Sequence, residues 1–441
     1  MGLFSWLFRW FGRTDNRLPA SERESEKHRG PAANSHPRSR QQLPRPGRTR
    51  RCRLRPTLHE EIARRRQKPR APVVEVRGSS PYRFARFGSR TGQYLDFSLD
   101  GDETCLHDNG LPVFRTPEQL AVWLDLPLNK LAWLVHRFSA GRAASLEKSH
   151  YHYSWRKKHS GGLRLIESPK QTLKQVQVKI LREILDRIPA HPAAHGFVRG
   201  RSIVTNATPH VGQGVVIKFD LTNFYTTVGF SRVAAIFRTL GYSREAAIWL
   251  ALLTTSAVPG NMPFDREKLY SLQPYWRRHL PQGAPTSPAL ANLSARHLDA
   301  RLTGMARSFG AQFTRYADDL TISGPVGLSK GLRTLIPLVE QIIRRERFQS
   351  NRKKRQVLRS HQRQSIAGVV VNSRTNVSRS DFDRLKAILT NCVRMGPSTQ
   401  NHDRVDDFAS HLRGRIAHVL QLNSARGERL LAIYQKIDWR R

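Results

Sequence analysis

Along most of this chain apolar residues recur at the period of a helix or of a strand, and the switches between the two outline its elements. Within 111–136, Leu120, Val122, Trp123, Leu124, Leu131, Trp133 and Leu134 have helix-like spacing broken at Pro127, which predicts a small helical lobe. Val215 to Phe219 is a short β-branched run ending at Asp220, a strand by its length and composition. Phe313 to Ile322 has two apolar halves that meet at a polar turn and predicts a hairpin. Between them, Ser287 and Pro288 followed by Leu290, Leu293, His297, Leu298 and Leu302 give the cap, first-turn proline and period of one helix. Ser378 with Asp381 forms a capping-box-like start to a helix whose Phe382, Leu385, Leu389 and Cys392 share a face. Phe408, Leu412, Ile416 and Leu420 mark a second helix of this kind. The pattern therefore predicts an α+β fold with a helical C-terminal part and no internal repeat.

Residues 13–80 carry no such period. They are dense in Arg, Pro, Ser and Gln, and so few large apolar groups cannot offset the entropy of ordering, so this stretch reads as a mostly disordered basic arm. A solvated extension and an RNA-binding arm fit its composition equally. Charge enlarges the picture: 75 Lys+Arg against 34 Asp+Glu among 441 residues give a net charge of +41, which calls for a polyanionic partner, nucleic acid above all. Cys52, Cys105 and Cys392 have neither zinc spacing nor the numbers of a disulfide framework, and a reducing cytoplasm suits them. The longest apolar stretches, such as 246–259, fall short of the roughly 20 residues of a membrane span and read as buried helix. Met1 to Gly12 is aromatic-rich and apolar, too short to span, and without a small-residue cleavage site.

The candidate chemistry lies at the predicted hairpin. Tyr316-Ala317-Asp318-Asp319 places two adjacent carboxylates at its tip, and a divalent cation gives a physical reason to hold two acids together. Two-metal phosphoryl transfer needs a further carboxylate from another element, and Asp220, ending an apolar strand, is the best placed. An aromatic-x-Asp-Asp string alone is weak, but its context is not. Phe219-Asp220 with Tyr225, then Gln282-Gly283-Ala284-Pro285-Thr286-Ser287-Pro288, then 316–319 stand in the order and approximate spacing of reverse transcriptase palms.

The chain thus resembles the reverse transcriptases, and more narrowly the bacterial retron enzymes. These share blocks like His195-Gly196-Phe197 to Ser202 and Asn206-Ala207-Thr208-Pro209-His210. The likeness runs from about Leu111 to the C-terminus, and the family's Val-Thr-Gly block is represented here by Ile366-Ala367-Gly368. The resemblance, which does not cover the basic extension over 1–80, implies a right-hand polymerase: a helical entry lobe over 81–145, fingers and palm over 146–375 and a helical thumb over 376–441. It implies two Mg2+ ions, with Mn2+ as a substitute, on Asp220, Asp318 and Asp319, helped by the Phe219 carbonyl. Arg164 in Gly161-Gly162-Leu163-Arg164 would grip the triphosphate, Gln282 and Gly283 would flank the nucleotide, and Tyr225 would exclude a 2′-hydroxyl. Lys157 and Lys158 are weaker candidates for the triphosphate. Asn351 and Lys354 match an Asn-x-x-Lys element near template or primer phosphate, while Asn206 and His210 suit either a structural turn or RNA recognition.

By the same likeness the enzyme copies a cognate non-coding RNA, which is both template and primer, from deoxynucleoside triphosphates. The product is a branched RNA–DNA hybrid, multicopy single-stranded DNA, made for defence against phage with a separate effector protein. Two rivals remain at this stage: an intron-type reverse transcriptase, disfavoured because little chain follows the thumb, and a non-catalytic RNA-binding scaffold, disfavoured by the three acids.

Overall fold

The structure, a computed structural model, describes residues 74–136, 145–158, 162–262 and 269–440. The basic arm lies outside the described residues except for 74–80, and there the expectation is corrected. Strand β1 (Val74–Val76) pairs antiparallel with β3 (Gln93–Asp96), Val74 opposite Asp96, and β3 pairs also with β2 (Arg86–Gly88). Ordered backbone thus begins before residue 80, and the lobe expected to be helical opens with a small sheet. Strands of three or four residues are too short to show a period of two, so the pattern hid them.

The helices of that lobe follow: α1 (Glu103–Asp108), α2 (Pro117–Leu124) and α3 (Leu128–Leu134). Thr116 caps α2 by accepting from the Gln119 amide, Pro117 fills its first turn, and Asp125 ends it in the left-handed conformation, φ 57°. Leu120, Leu124, Leu131 and Leu134 are buried, whereas Val122 and Trp133 face solvent at 81% and 49% exposure. Lys130 Nζ covers the exposed Trp133 ring at 4.3 Å.

Next come the paired strands β4 (Tyr151–Lys157) and β5 (Leu163–Pro169), then α4 (Gln171–Glu183) and α5 (Ile203–Ala207). Strand β6 (Val215–Asp220) leads into α6 (Phe230–Thr239), α7 (Arg244–Thr254) and α8 (Leu269–Trp276). The single helix expected over 287–302 is two, α9 (Ser287–Ser294) and α10 (Arg296–Ser308). At the break the Ser294 hydroxyl donates to the Ala291 carbonyl at 2.8 Å and the Ala295 amide is shared between Ala291 and Asn292, a local competition that bends helices. The hairpin is present as β7 (Gln312–Tyr316) and β8 (Asp319–Gly324), followed by α11 (Leu328–Arg345) and β9 (Gln356–Arg359).

These strands form one antiparallel sheet in the order β7-β8-β6-β9. Successive residues of β6 point to opposite faces, and both faces are covered, which is why its run is apolar without alternation. Val215, Ile217 and Phe219 join a large core with Phe237, Leu250, Leu290 and Leu298, and with Ile342 and Ile343 on α11. Val216 joins a second core with Ala207, Ile366, Val369 and Val371. That second core is completed by α12 (Arg379–Met395), α13 (Phe408–Leu422) and α14 (Ser424–Tyr434), through Leu385, Leu389, Leu412, Ile416 and Leu430. Ser378 caps α12 through the Asp381 amide, as its sequence predicts. Ile366-Ala367-Gly368 is a tight hairpin between β10 (Ser365–Ile366) and β11 (Val369–Val370), with Ala367 and Gly368 both at positive φ. A two-residue type I′ connection requires that sign at both positions.

Candidate active site

The sheet brings the three acids together. Asp220 ends β6, Asp319 opens β8, and the antiparallel register sets them directly opposite each other. Asp318 lies in the turn, its carbonyl accepting from the Leu221 amide at 2.9 Å. That turn is two residues long, and Ala317, its first residue, has φ 56°. Positive φ at the first position is what a type II′ connection asks, normally of glycine; a side chain there costs on the order of 1–3 kcal/mol.

The acids are crowded and partly desolvated. Burial, and then the neighbouring Asp318 charge, push the Asp319 carboxyl up to about 6. Asp318 is raised by burial with the Asp220 charge adding, against the opposing pull of Arg164 and Lys354. Lys354 Nζ donates to Asp220 Oδ1 at 2.8 Å, and this bond raises the ammonium above its ordinary value. Asn351 supports the same residue through its backbone, its amide donating to the Asp220 carbonyl at 2.7 Å. Among the described residues no three His, Cys, Asp or Glu side chains stand in a ready-made metal sphere. The donor set nevertheless fits divalent cations: three hard oxygen ligands whose mutual repulsion a cation relieves, one already turned to an ammonium.

Around the acids the other expected residues fall into place unevenly. Arg164 on β5 is near enough for its charge to act on both Asp318 and Tyr225. Tyr225 is partly buried against the large core, and burial, followed by the Asp318 charge, raises its phenol. The Gln282 carbonyl accepts from the Glu167 amide of β5 at 2.8 Å. Gly283 has φ 127°, and a Cβ there would stand 3.1 Å from the Glu167 carbonyl oxygen, so only glycine suits it. The Phe219 side chain is buried in the core. Lys157 ends β4, and the Lys158 amide donates to the Gly162 carbonyl at 2.9 Å.

Asn206 and His210, for which a structural turn and RNA recognition both stood open, are buried in the interior, a placement that suits the structural reading. His210 is fully buried, with Nδ1 2.6 Å from the Ser323 hydroxyl and Nε2 2.8 Å from the Thr314 hydroxyl, so it ties α5's end to both strands of the hairpin. Burial holds its imidazole down at about 3, a neutral ring suited to bonding two hydroxyls. Asn206 is buried beside it, its carbonyl accepting from Thr314 Oγ1 at 3.3 Å.

Sequence reasoning missed a buried cluster behind the turn: Arg315, Asp299 and Asn292. Arg315 and Asp299 are each fully buried and joined by two bonds of 2.6 Å. The available signal was a charged residue inside an apolar strand, Phe313-Thr314-Arg315, for which burial demands a partner. It missed also Glu167 with His279, a fully buried pair at 2.6 Å beside Gln282.

Three carboxylates at one end of an antiparallel sheet, with an arginine and a tyrosine near enough to feel their charge, define a template-directed polymerase of the right-hand class. Residues 156–373 match the family described as reverse transcriptase (RNA-dependent DNA polymerase). The chain is 38% identical to the retron Mx65 reverse transcriptase of Myxococcus xanthus over 329 residues, 75% of this chain and 73% of that one. To the retron Mx162 reverse transcriptase of the same organism it is 35% identical, covering 78% and 71%, and to the retron Ec86 reverse transcriptase of Escherichia coli 30%, covering 63% and 77%. The chain belongs to the retron reverse transcriptases, RNA-directed DNA polymerases. Its substrates are accordingly an RNA template and nucleotides, and its family generally uses divalent metal ions. No helix among the described residues is long and apolar enough to cross a membrane.

Proposed function

We propose that this chain copies a cognate structured non-coding RNA into branched multicopy single-stranded DNA, as the polymerase of an anti-phage retron working in the cytoplasm with a separate effector protein. The observation that carries the catalytic assignment is the opposition of Asp220 and Asp319 across paired strands with Asp318 in the adjoining turn. Asp220, Asp318 and Asp319, with the Phe219 carbonyl, would hold two Mg2+ ions, for which Mn2+ would substitute, and a bound divalent cation would supply neutralisation of the charge that develops on the phosphates.

The reaction is attack of a primer hydroxyl on the α-phosphate of a deoxynucleoside triphosphate, with pyrophosphate leaving. Arg164 grips the triphosphate through its planar donors. Gln282 and Gly283 flank the incoming nucleotide, and the Tyr225 ring occupies the space a 2′-hydroxyl needs. Lys354 neutralises Asp220 in the absence of substrate and turns to template or primer phosphate in its presence. Asn351 steadies Asp220 through the backbone.

Asp318→Asn and Asp319→Asn remove charge without removing packing volume, so both variants should fold and bind RNA while extending a primer at less than about one per cent of the wild-type rate, since loss of such an electrostatic contribution is worth about 10²-fold or more. Measurable extension above that level by either variant would overturn the metal assignment, and Asp220→Asn should behave alike. Incubated with RNA transcribed from the DNA beside its gene, the wild-type enzyme should yield DNA joined to an internal 2′-hydroxyl; only unlinked DNA would remove the branched product from the proposal.

A further inference from the structure

Behind the catalytic turn, the Arg315 guanidinium is fixed by groups from three elements. Its Nε and Nη2 donate to the two carboxylate oxygens of Asp299 on α10, each at 2.6 Å. Its Nη1 donates to Asn292 Oδ1 on α9 at 2.9 Å and to the Ala317 carbonyl at 3.0 Å. Asn292 in turn donates to the Gly196 carbonyl at 2.9 Å. Gly196 lies hard against the turn, where an added Cβ would meet the Ala317 nitrogen at 2.6 Å. The Arg315 backbone is held as well, its amide donating to Ala193 at 2.7 Å and its carbonyl accepting from the His195 amide at 2.8 Å.

The Ala317 carbonyl belongs to the peptide that joins Ala317 to Asp318. A donor anchored on its far side sets the plane of that peptide, and with it the direction in which Asp318 leaves the turn. The turn needs such a brace, because Ala317 sits at a positive φ that its side chain disfavours. We infer that Arg315 is a positioning residue, which, locked by Asp299 and Asn292, holds the strained Ala317-Asp318 turn in the form that presents the carboxylates. The inference rests on the proposed role of Asp318. A buried ion pair is weak evidence of stabilisation by itself; here its geometry is directed at one peptide at the reacting centre.

The test pairs a conservative variant with a backbone rescue. Arg315→Lys keeps the charge but loses the fork that reaches Asp299, Asn292 and Ala317 together. It should bind cognate RNA as before and keep KM for deoxynucleotides within about twofold, while kcat falls about tenfold or more, since small misplacements of reacting groups are costly. Adding Ala317→Gly removes the side-chain objection to positive φ, and should restore most of the lost kcat. A folded Arg315→Lys enzyme with wild-type kcat, or one that Ala317→Gly does not rescue, overturns the inference. Should Arg315→Lys fail to fold, the pair Asp299→Leu with Arg315→Met leaves no buried charge and is read the same way. An active Asp318→Asn enzyme would instead sink the site assignment, whereas an inactive one beside fully active Arg315 variants would sink only the brace.

Discussion

At the scale of single residues, position within the fold decides which polar side chains act on substrate and which act on the protein. Tyr225 is partly buried against the large core, close enough for the Asp318 charge to influence its phenol. Tyr225→Ala should therefore raise ribonucleotide incorporation relative to deoxynucleotide incorporation in a competition assay; an unchanged ratio in an active enzyme would show that the ring is no gate. His210 is the opposite case. Its folded value near 3 lies below the ordinary 6.5, so the unfolded chain takes up the proton first. Stability is then intact above about pH 6.5 and falls as the pH drops toward 3, at about 1.4 kcal/mol per pH unit for this one proton. His195, held down to about 4 by burial, adds to the same trend. Thermal unfolding followed from pH 7.5 to 5.5 should show a flatter dependence for His210→Gln than for wild type, and equal slopes would count against the buried neutral ring.

Among the elements, the strands and the segments stapled to them set the distances of the site. β5 carries Arg164 and, through the Glu167 amide, holds the Gln282 carbonyl. The fully buried Glu167–His279 pair ties the same strand to the residues just before Gln282. Gly283 completes the contact with a conformation that L side chains rarely adopt, and an added Cβ would stand 3.1 Å from the Glu167 carbonyl oxygen, backbone that cannot easily retreat. Gly283→Ala should destabilise the protein by about 1–3 kcal/mol and raise KM for deoxynucleotides more than it lowers kcat, because it displaces a binding segment and not the acids. Steady-state kinetics and thermal unfolding on one preparation would decide it: unchanged KM would place Gln282 and Gly283 away from the nucleotide.

For the whole molecule the governing quantity is charge. A net +41 far exceeds what solubility requires, and each phosphate contact that releases a counterion steepens the salt dependence of binding, by about 0.9 in log–log slope on duplex and about 0.7 on single strands. Removal of residues 1–73, which spares β1, should leave extension of an annealed primer intact and make RNA binding less sensitive to salt. An unaltered slope would mark the segment as a solvated extension, and loss of extension would show that the polymerase needs it. The same charge surrounds the few acids, and it is met locally by specific pairs such as Arg352 and Arg355 on Glu340.

Read alone, the sequence determined the α+β class, the strand ending at Asp220, the hairpin around 316–319, the cap at Ser378 and the acids that meet. Each is written in short-range terms, as apolar period, capping chemistry or an order of motifs, and so survives without knowledge of distant contacts. Only the tertiary structure decided which face each residue presents. It turned Val122 and Trp133 outward, split the helix at Ala295 and opened the entry lobe with strands too short for periodicity. It sent Asn206 and His210 into the interior, set Lys354 on Asp220 and closed Asp299, Asn292 and Arg315 around the Ala317 carbonyl. Those partners are separated by 2 to 134 positions in the chain, so no local pattern names them, although an arginine inside the apolar run Phe313-Thr314-Arg315 signals that burial will demand one.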